Sequence, residues 1–519
     1  MSASIQETAF RHRYVIAFTV TLASMLELLD TSIVNVALPD MMGNLGASLD
    51  EIAWVLTGYV VANAIVIPAS GWLSGLLGRK RYFASSVALF TVSSFFCGNA
   101  HSLTALVLWR ILQGLGGGAF LATAQATLYE VFPPEEFGVA QAIFGMGVVV
   151  GPTLGPTLGG YITDTASWHW IFFINVPLGI AAFVLTLVYV PDSPFVQRKA
   201  RVDLWGLALL VIGIGTLQMM LDRGERQDWF NSAEITAYAV LAATALIALV
   251  WHELTTEHPI VDFRVLKNPQ LAAGVMLAFL LGVSLYATIF VLPVYLQTLL
   301  GYSAWQTGLV LLPGALATAA MNGTMAKLTR RVDNRLLVGT GIVIFAISMH
   351  SWSLFTTESG MSDFFWPLIV RGIGLGFIFV PLSNLALAAL PKTELNQGSG
   401  LYNLTRQLGG SLGIAVAATL LTRFRVIDKA RLAEHITLFD AGTTERLAAI
   451  ARGMMARGMP EGSARQAAVA ALDGIVTRQA AMIAIERVFL LFGVAFLIAL
   501  PLLLMMRKTR GGAGAGAAH

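Results

Sequence analysis

Long apolar runs alternate with short polar stretches along the whole chain, and the runs fall at residues 14–38, 52–73, 82–97, 103–121, 139–161, 170–190, 204–221, 235–251, 271–295, 308–325, 336–354, 364–390, 400–421 and 483–506. Each is long enough, or nearly so, for a helix to cross the roughly 30 Å of hydrocarbon in a bilayer. The pattern therefore predicts an all-α polytopic membrane protein with fourteen transmembrane helices. The first run could be read as a secretory signal, but it is long, carries Glu27 and Asp30, and is followed by no small-x-small cleavage site, so it is expected to be retained. One segment, 423–478, breaks the rhythm. It is polar and Arg-bearing, yet Leu432, Ala448, Ile450, Met454 and 468–475 are spaced for amphipathic helices. It reads either as a folded outer cap or docking surface, or as a solvated connector.

Composition sharpens the picture. Of 519 residues, 56% are hydrophobic and 12% charged, against roughly 25% charged in an average soluble protein. Such a chain cannot furnish the surface of several globular domains, so its solvent is largely lipid. The net charge of +3 sits in short clusters between the apolar runs, which argues against a nucleic-acid partner. Placing the N-terminus in the cytoplasm puts Arg11, Arg13, Arg79, Lys80, Arg81, Arg198, Lys199, Arg201, Arg264, Lys267, Lys327, Arg330, Arg331, Arg335, Lys392, Arg507, Lys508 and Arg510 inside, against Arg223 and Arg226 in the short outer loops. That asymmetry predicts both termini in the cytoplasm. Cys97 is alone, which excludes an intramolecular disulfide or a thiolate metal cluster.

A faint repeat runs through the chain. Trp109-Arg110 with Gln113-Gly114 and Gly116-Gly117-Gly118 in the fourth run is echoed by Val370-Arg371-Gly372 with Gly374 and Gly376 in the twelfth, and the glycine-rich 151–160 of the fifth by Arg406 with Gly409, Gly410 and Gly413 in the thirteenth. The offset of eight runs predicts two six-helix halves, 1–200 and 263–519, with two inserted helices in 201–262. Two similar helical halves related by an axis along the membrane normal are a transporter architecture whose substrate site lies where the halves meet.

Ionisable residues inside spans are rare and demand a reason, since each costs about 2.5 to 3.5 kcal/mol at the centre of a translocated helix. Glu27, Asp30, Arg110, Arg371 and Arg406 qualify. At 1.5 Å per residue, Asp30 and Arg110 share a depth, while Glu27 and Asp30 lie on neighbouring parts of one helix face. Two carboxylates near a cavity and an arginine are what a proton carrier needs. The alternative for Asp30 and Arg110 is a static buried pair that fixes helix packing. For Glu27 it is polar lining of a cavity. Arg371 either mirrors Arg110 or snorkels to the outer interface. Asn35, Gln113, Gln125, Tyr286, Gln297 and Asn403 are candidate cavity residues. The Gly147, Gly151, Gly155 and Gly159 spacing permits close helix approach, and Pro152 and Pro156 remove backbone donors and bend that helix, which adds a gating or leak-sealing role. No phosphate-cradling Gly-Lys-Ser/Thr, nucleophile elbow or metal-spaced histidine set appears, which argues against direct ATP drive and disfavours an enzyme.

Several strings are specific. Leu29 to Pro39, Gly71 to Arg81, Arg110-x-x-Gln113-Gly114 and the Gly151-Pro152 run resemble the major facilitator superfamily, and Trp170 to Gly179, Leu221 to Gly224, Asp228-Trp229 and His258 to Asp262 resemble its fourteen-span drug:proton antiporter branch of the EmrB/QacA type, EmrB-like members above all. The resemblance implies export of hydrophobic compounds by alternating access in exchange for protons, with no cofactor beyond the proton. It implies proton coupling at Asp30 and Arg110. It further implies an antiporter motif of Gly151, Pro152, Gly155, Pro156, Gly159 and Gly160, and an inner loop with Gly71, Gly78, Arg79 and Lys80 that controls switching. A bacterial inner membrane, a periplasmic membrane-fusion adaptor and an outer-membrane channel follow from the same resemblance. Two positions depart from the pattern: Gly75 stands where the inner loop usually has Asp, and Glu27 lies outside the motif. No acidic residue falls within 308–325, so the carboxylate tied to divalent cations in QacA-like members has no counterpart. A narrow exporter of one metabolite, fatty acid or siderophore is the alternative reading.

Overall fold

The computed structural model describes residues 11–192, 203–257, 259–388, 390–391, 393–437 and 439–506. Arg198, Lys199, Arg201, His258, Lys392, Arg507, Lys508 and Arg510, and the expected boundary at 200/201, lie outside the described residues. In lipid every backbone N–H and C=O must be satisfied within the segment, so the apolar runs become helices. In chain order these are α1 (Arg13–Leu45), α2 (Trp54–Leu77), α3 (Arg79–Gly98), α4 (Leu103–Val131), α5 (Phe137–Thr165), α6 (Trp170–Tyr189), α7 (Leu204–Arg223), α8 (Ala233–Thr255), α9 (Pro269–Leu299), α10 (Ala304–Leu328), α11 (Asn334–Trp352), α12 (Met361–Leu387), α13 (Leu395–Glu434), α14 (Ala441–Met455) and α15 (Glu461–Leu497). Polar residues mark the starts: Ser102, Asp203, Asn268, Ser303 and Asp333 each accept a backbone N–H of the first turn.

Thirteen of these helices are long and apolar enough to cross a membrane. Helix α3, the third of the fourteen apolar runs, is not among them, because its three leading cations and four serines lower its hydropathy, although it packs between α4 and α6. Three helices outrun the limits that the apolar pattern suggests by about ten residues or more. Helix α4 continues beyond residue 121 to Val131, because Thr123, Gln125, Thr127 and Tyr129 are polar but buried against other helices. Helix α13 runs 40 residues to Glu434, and α15 begins at Glu461. The segment 423–478 is therefore not a loop: it is the end of α13, then α14, then the start of α15. Lys429 pairs with Asp473 and Arg487 with the buried Asp428, both at 2.8 Å. These helices project from the end of the bundle opposite Arg79, Lys80 and Arg81, and that arginine- and lysine-bearing end is called here the basic end.

Helix pairing repeats with the spacing of eight. Helix α1 packs on α5, α2 and α3 on α4, α3 on α6 and α1 on α6. In the same way α9 packs on α13, α10 and α11 on α12, α11 on α15 and α9 on α15. Two seams join the sets, α5 with α10 and α2 with α13. The α7–α8 pair breaks the symmetry, since α7 lies against both α2 and α13 and so covers only the second seam. At the far end Trp229 Nε1 donates to Thr419 Oγ1 (2.9 Å), and Thr422 Oγ1 to Glu225 (2.7 Å).

Candidate functional site

Asp30 is fully buried within the first helix set and has three donors. Arg110 Nη1 approaches Oδ2 at 2.5 Å, while Gln113 Nε2 (3.0 Å) and Asn175 Nδ2 (2.8 Å) donate to Oδ1. One carboxylate thus ties α1 to α4 and α6. Arg110 is fixed in turn by Val55 O (3.1 Å), Gln113 Oε1 (2.7 Å) and the ring of Tyr59, 4.1 Å from its guanidinium carbon. Ile33, Val55, Cys97, Ile171 and Phe172 pack around this group on the far side, so the charges sit where water has little access and their attraction is strong. Gln113 belongs to this network and is fully buried. Asn175 was not singled out in the sequence, because an uncharged amide in a span carries a smaller penalty than a charge.

Glu27, one helical turn away, points elsewhere. Its Oε1 accepts from Asn63 Nδ2 (2.9 Å), and Asn63 Oδ1 accepts from Gln407 Nε2 (3.0 Å), so a hydrogen-bonded chain runs from α1 through α2 to α13 across a seam. Glu27 Oε2 is buried without a hydrogen-bond partner. The two carboxylates share a helix but not a set of partners.

Nearer the basic end the two sets are bolted together. Asn403 Nδ2 donates to Gln125 Oε1 (2.8 Å), Gln125 Nε2 to Gln141 Oε1 (3.2 Å), Arg406 Nη2 to Asn403 Oδ1 (2.9 Å), Ser399 Oγ to Ala122 O (3.0 Å) and Tyr129 OH to Asn384 Oδ1 (3.1 Å). Gln125 and Asn403, candidate cavity residues, are therefore joined to each other and buried. At the end itself Arg79 pairs with Glu130 and donates to Asn396 Oδ1 (2.9 Å), while Lys80 beside it is half-buried. Gly78 makes the α2–α3 turn at φ 88°, a left-handed conformation that favours glycine. Gly71 leaves room for Gln397, whose Cδ would stand 3.1 Å from a Cβ there. Arg79→Ala is expected to raise labelling of a cysteine placed at the buried Ser399, in a Cys97→Ser background, by about tenfold; unchanged labelling by an impermeant thiol reagent would show that Arg79 does not hold this end shut.

The glycines of α5 divide by face. Gly147, Gly151, Gly155 and Gly159 lie against Thr21, Met25, Ser32 and Ile33 of α1, whereas Gly160 meets Ala304 of α10. Pro152 lines a cavity of about 70 Å³ between α5, α9, α10 and α12, with Tyr286 and Arg371 among its walls; Pro156, one turn further, is half-buried. Arg371 turns inward: Nη2 donates to Thr288 Oγ1 (3.1 Å), and its guanidinium carbon lies 5.3 Å from the Trp352 ring centre. It does not snorkel outward. Asn35 is exposed and bonds Thr31 O (2.9 Å), and Gln297 is exposed in the π-helical end of α9. Of the six candidate cavity residues, the structure places Tyr286 alone in this cavity.

Residues 20–414 match the family model of the Major Facilitator Superfamily. The chain is 35% identical over 509 residues to the multidrug export protein EmrB of Escherichia coli strain K12, covering 97% of this chain and 98% of that protein. It is 36% identical over 430 residues to the EmrB of Haemophilus influenzae, with 82% and 84% covered. The human organic anion transporter MFSD10 shares the fold at a TM-score of 0.62 and 14% identity, over 94% of this chain and 99% of that one. With thirteen membrane-length apolar helices among the described residues, the eight-helix spacing and these likenesses together, the chain belongs to the Major Facilitator Superfamily as an EmrB-like, multi-pass membrane transporter.

Proposed function

We propose that this protein exports hydrophobic and amphipathic toxic compounds in exchange for protons, by alternating access and without any cofactor. The two halves, 1–200 and 263–519, rock about the two seams while 201–262 covers one of them. The observation that carries the reading is the buried Asp30–Arg110 pair in a chain kin to multidrug exporters. As a carboxylate, Asp30 holds three donors and thereby three helices. A proton on Asp30 removes the charge and converts one oxygen from acceptor to donor, so Arg110, Gln113 and Asn175 lose their common anchor and the set is free to repack. Glu27, joined through Asn63 to Gln407 of the other half, is the second proton-sensitive group. One proton moved inward supplies about 2.3 kcal/mol per 100 mV and about 1.36 kcal/mol per pH unit, enough for a substrate gradient of roughly a hundredfold to a thousandfold.

The basic end fits the cytoplasm by the positive-inside rule, in a bacterial inner membrane. The projection of α13, α14 and α15 then stands in the periplasm. It presents exposed Val426, Ile427, Phe439 and Val469, apolar groups of a kind that a periplasmic membrane-fusion adaptor leading to an outer-membrane channel would cover. The test is proton release from inside-acid proteoliposomes on adding a panel of lipophilic cations, neutral compounds and uncoupler-like acids. Release triggered by chemically unrelated compounds is the expected result. Silence across the panel would overturn the reading in favour of a narrow transporter.

A further inference from the structure

The two helix sets repeat each other's packing, but they do not repeat each other's charges. In the first, α4 presents Arg110 to α1, and Asp30 neutralises it with Gln113 and Asn175 completing the network. In the second, α12 presents Arg371 to α9 in the same pairing of helices, and the group it meets is the hydroxyl of Thr288. The residue three positions after Arg371, where the first set has Gln113, is Gly374, which packs on the backbone of Phe345. An aromatic ring lies near both arginines, Tyr59 in one case and Trp352 in the other. The second set thus holds the cation of such a pair with a neutral group in place of the carboxylate.

This cation faces the cavity between the halves. Arg371 Nε has no hydrogen-bond partner, no carboxylate among the described residues lies within ion-pair distance of the guanidinium, and no acidic residue contributes to the cavity wall. The rest of that wall is apolar or weakly polar: Val148 and Pro152 from α5, Leu311 and Thr318 from α10, Phe379 from α12. A guanidinium in such surroundings binds a carboxylate or similar anion far more strongly than it would in water, through two parallel N–H donors. At about 70 Å³ the space suits a head group, whereas a drug-sized molecule requires roughly 300–1,000 Å³.

We propose that Arg371 and Thr288 form a head-group site for amphipathic organic anions, the ligand carboxylate standing where the first set has Asp30. Because the cavity is walled by α5 from one half and α9, α10 and α12 from the other, an anion held there touches both halves, and its apolar tail follows the Val148–Pro152 face. The assignment rests on the export reading above but concerns a separate set of residues from the proton site.

The test uses the full-length protein in nanodiscs, with dodecanoate and its uncharged methyl ester as probes and binding followed by titration calorimetry. The wild type is expected to bind the carboxylate at least tenfold more tightly than the ester. Arg371→Gln should abolish that preference, by weakening carboxylate binding at least tenfold. Thr288→Asp, which builds the missing carboxylate into the protein, should abolish it as well although Arg371 is still present, whereas Thr288→Ser, which keeps the hydroxyl, should keep it. The Asp variant restores an ion pair of the kind found in the first set, so it remains informative if Arg371→Gln fails to fold. Equal binding of acid and ester by the wild type, or an unchanged preference in Thr288→Asp, would overturn the proposal. If dodecanoate binds as expected but no compound drives proton exchange, the export reading fails and the anion site stands; if lipophilic cations drive exchange normally while the carboxylate preference is absent, the reverse holds.

Discussion

Asp30→Asn is expected to lower substrate-driven proton exchange by about two orders of magnitude or more, since the group proposed to carry the proton is gone. Its environment makes a simple loss ambiguous. Removing one partner of a buried ion pair leaves Arg110 uncompensated, at about 3 to 5 kcal/mol, and the new amide would point an N–H toward Gln113 or Asn175, both of which now donate. The single variant can therefore lose activity because the first helix set is destabilised. The double variant Asp30→Asn with Arg110→Gln separates the two causes, because it deletes both charges at once. Restored yield and thermal stability with no proton exchange would establish the coupling role. Exchange regained in the double variant would show that the pair only fixes helix packing, and the proton site would have to be sought at Glu27.

The second large effect is structural and belongs to the α9–α13 contact. Gly282 lies against the carbonyl of Arg406, Gly409 against that of Phe279 and Gly413 against that of Val283, so three glycines bring the two backbones into contact. A Cβ at Gly409 would meet a peptide oxygen, which cannot rotate away as a side chain does. Gly409→Val is expected to force the helices apart along their length, to move Asn403 and Arg406 off their partners, and to remove most of the monodisperse protein from a detergent extract. Overpacking usually costs about 1 to 3 kcal/mol, and two opposed backbones place this site at or above the upper end. Gly323→Val is the control, since nothing lies within 4 Å of a Cβ there. Equal yields and melting temperatures for the two variants by fluorescence-detected gel filtration would refute the expectation.

How much of this could be read from the chain depends on the strength of the signal each residue emits. A run of twenty apolar residues is unambiguous, so the spans were legible, as was the offset of eight runs between Arg110 and Arg371. Asp30 and Arg110 share a depth and meet in the structure because both lie along rigid helices measured from the same membrane surface. Helix ends were less legible: α4 and α13 continue through Thr, Gln and Arg residues that stop an apolar count but not a helix. Partners contributed by distant segments left no mark at all. Nothing in the spacing of Asn63, Asn175, Thr288 or Gln407 says which neighbour each will meet, and amides and hydroxyls are too inexpensive within a span to attract notice. For the same reason Gln113, Gln125 and Asn403 read as cavity residues, while the structure spends them on hydrogen bonds between helices.

The length of α13 has a mechanical meaning. Forty residues at 1.5 Å each make a rod of about 60 Å, roughly twice the hydrocarbon thickness, and no proline interrupts it. Its lower part is bonded through Asn403 to Gln125 of the opposite half, and its upper part is braced to α15 by the Lys429–Asp473 and Asp428–Arg487 pairs. In the alternating-access cycle proposed above, such a rod would act as a lever. A tilt of roughly 10° would sweep the outlying 30 Å through about 5 Å, so in that cycle each turnover would become a stroke at the tip, and anything clamped there would register it as displacement.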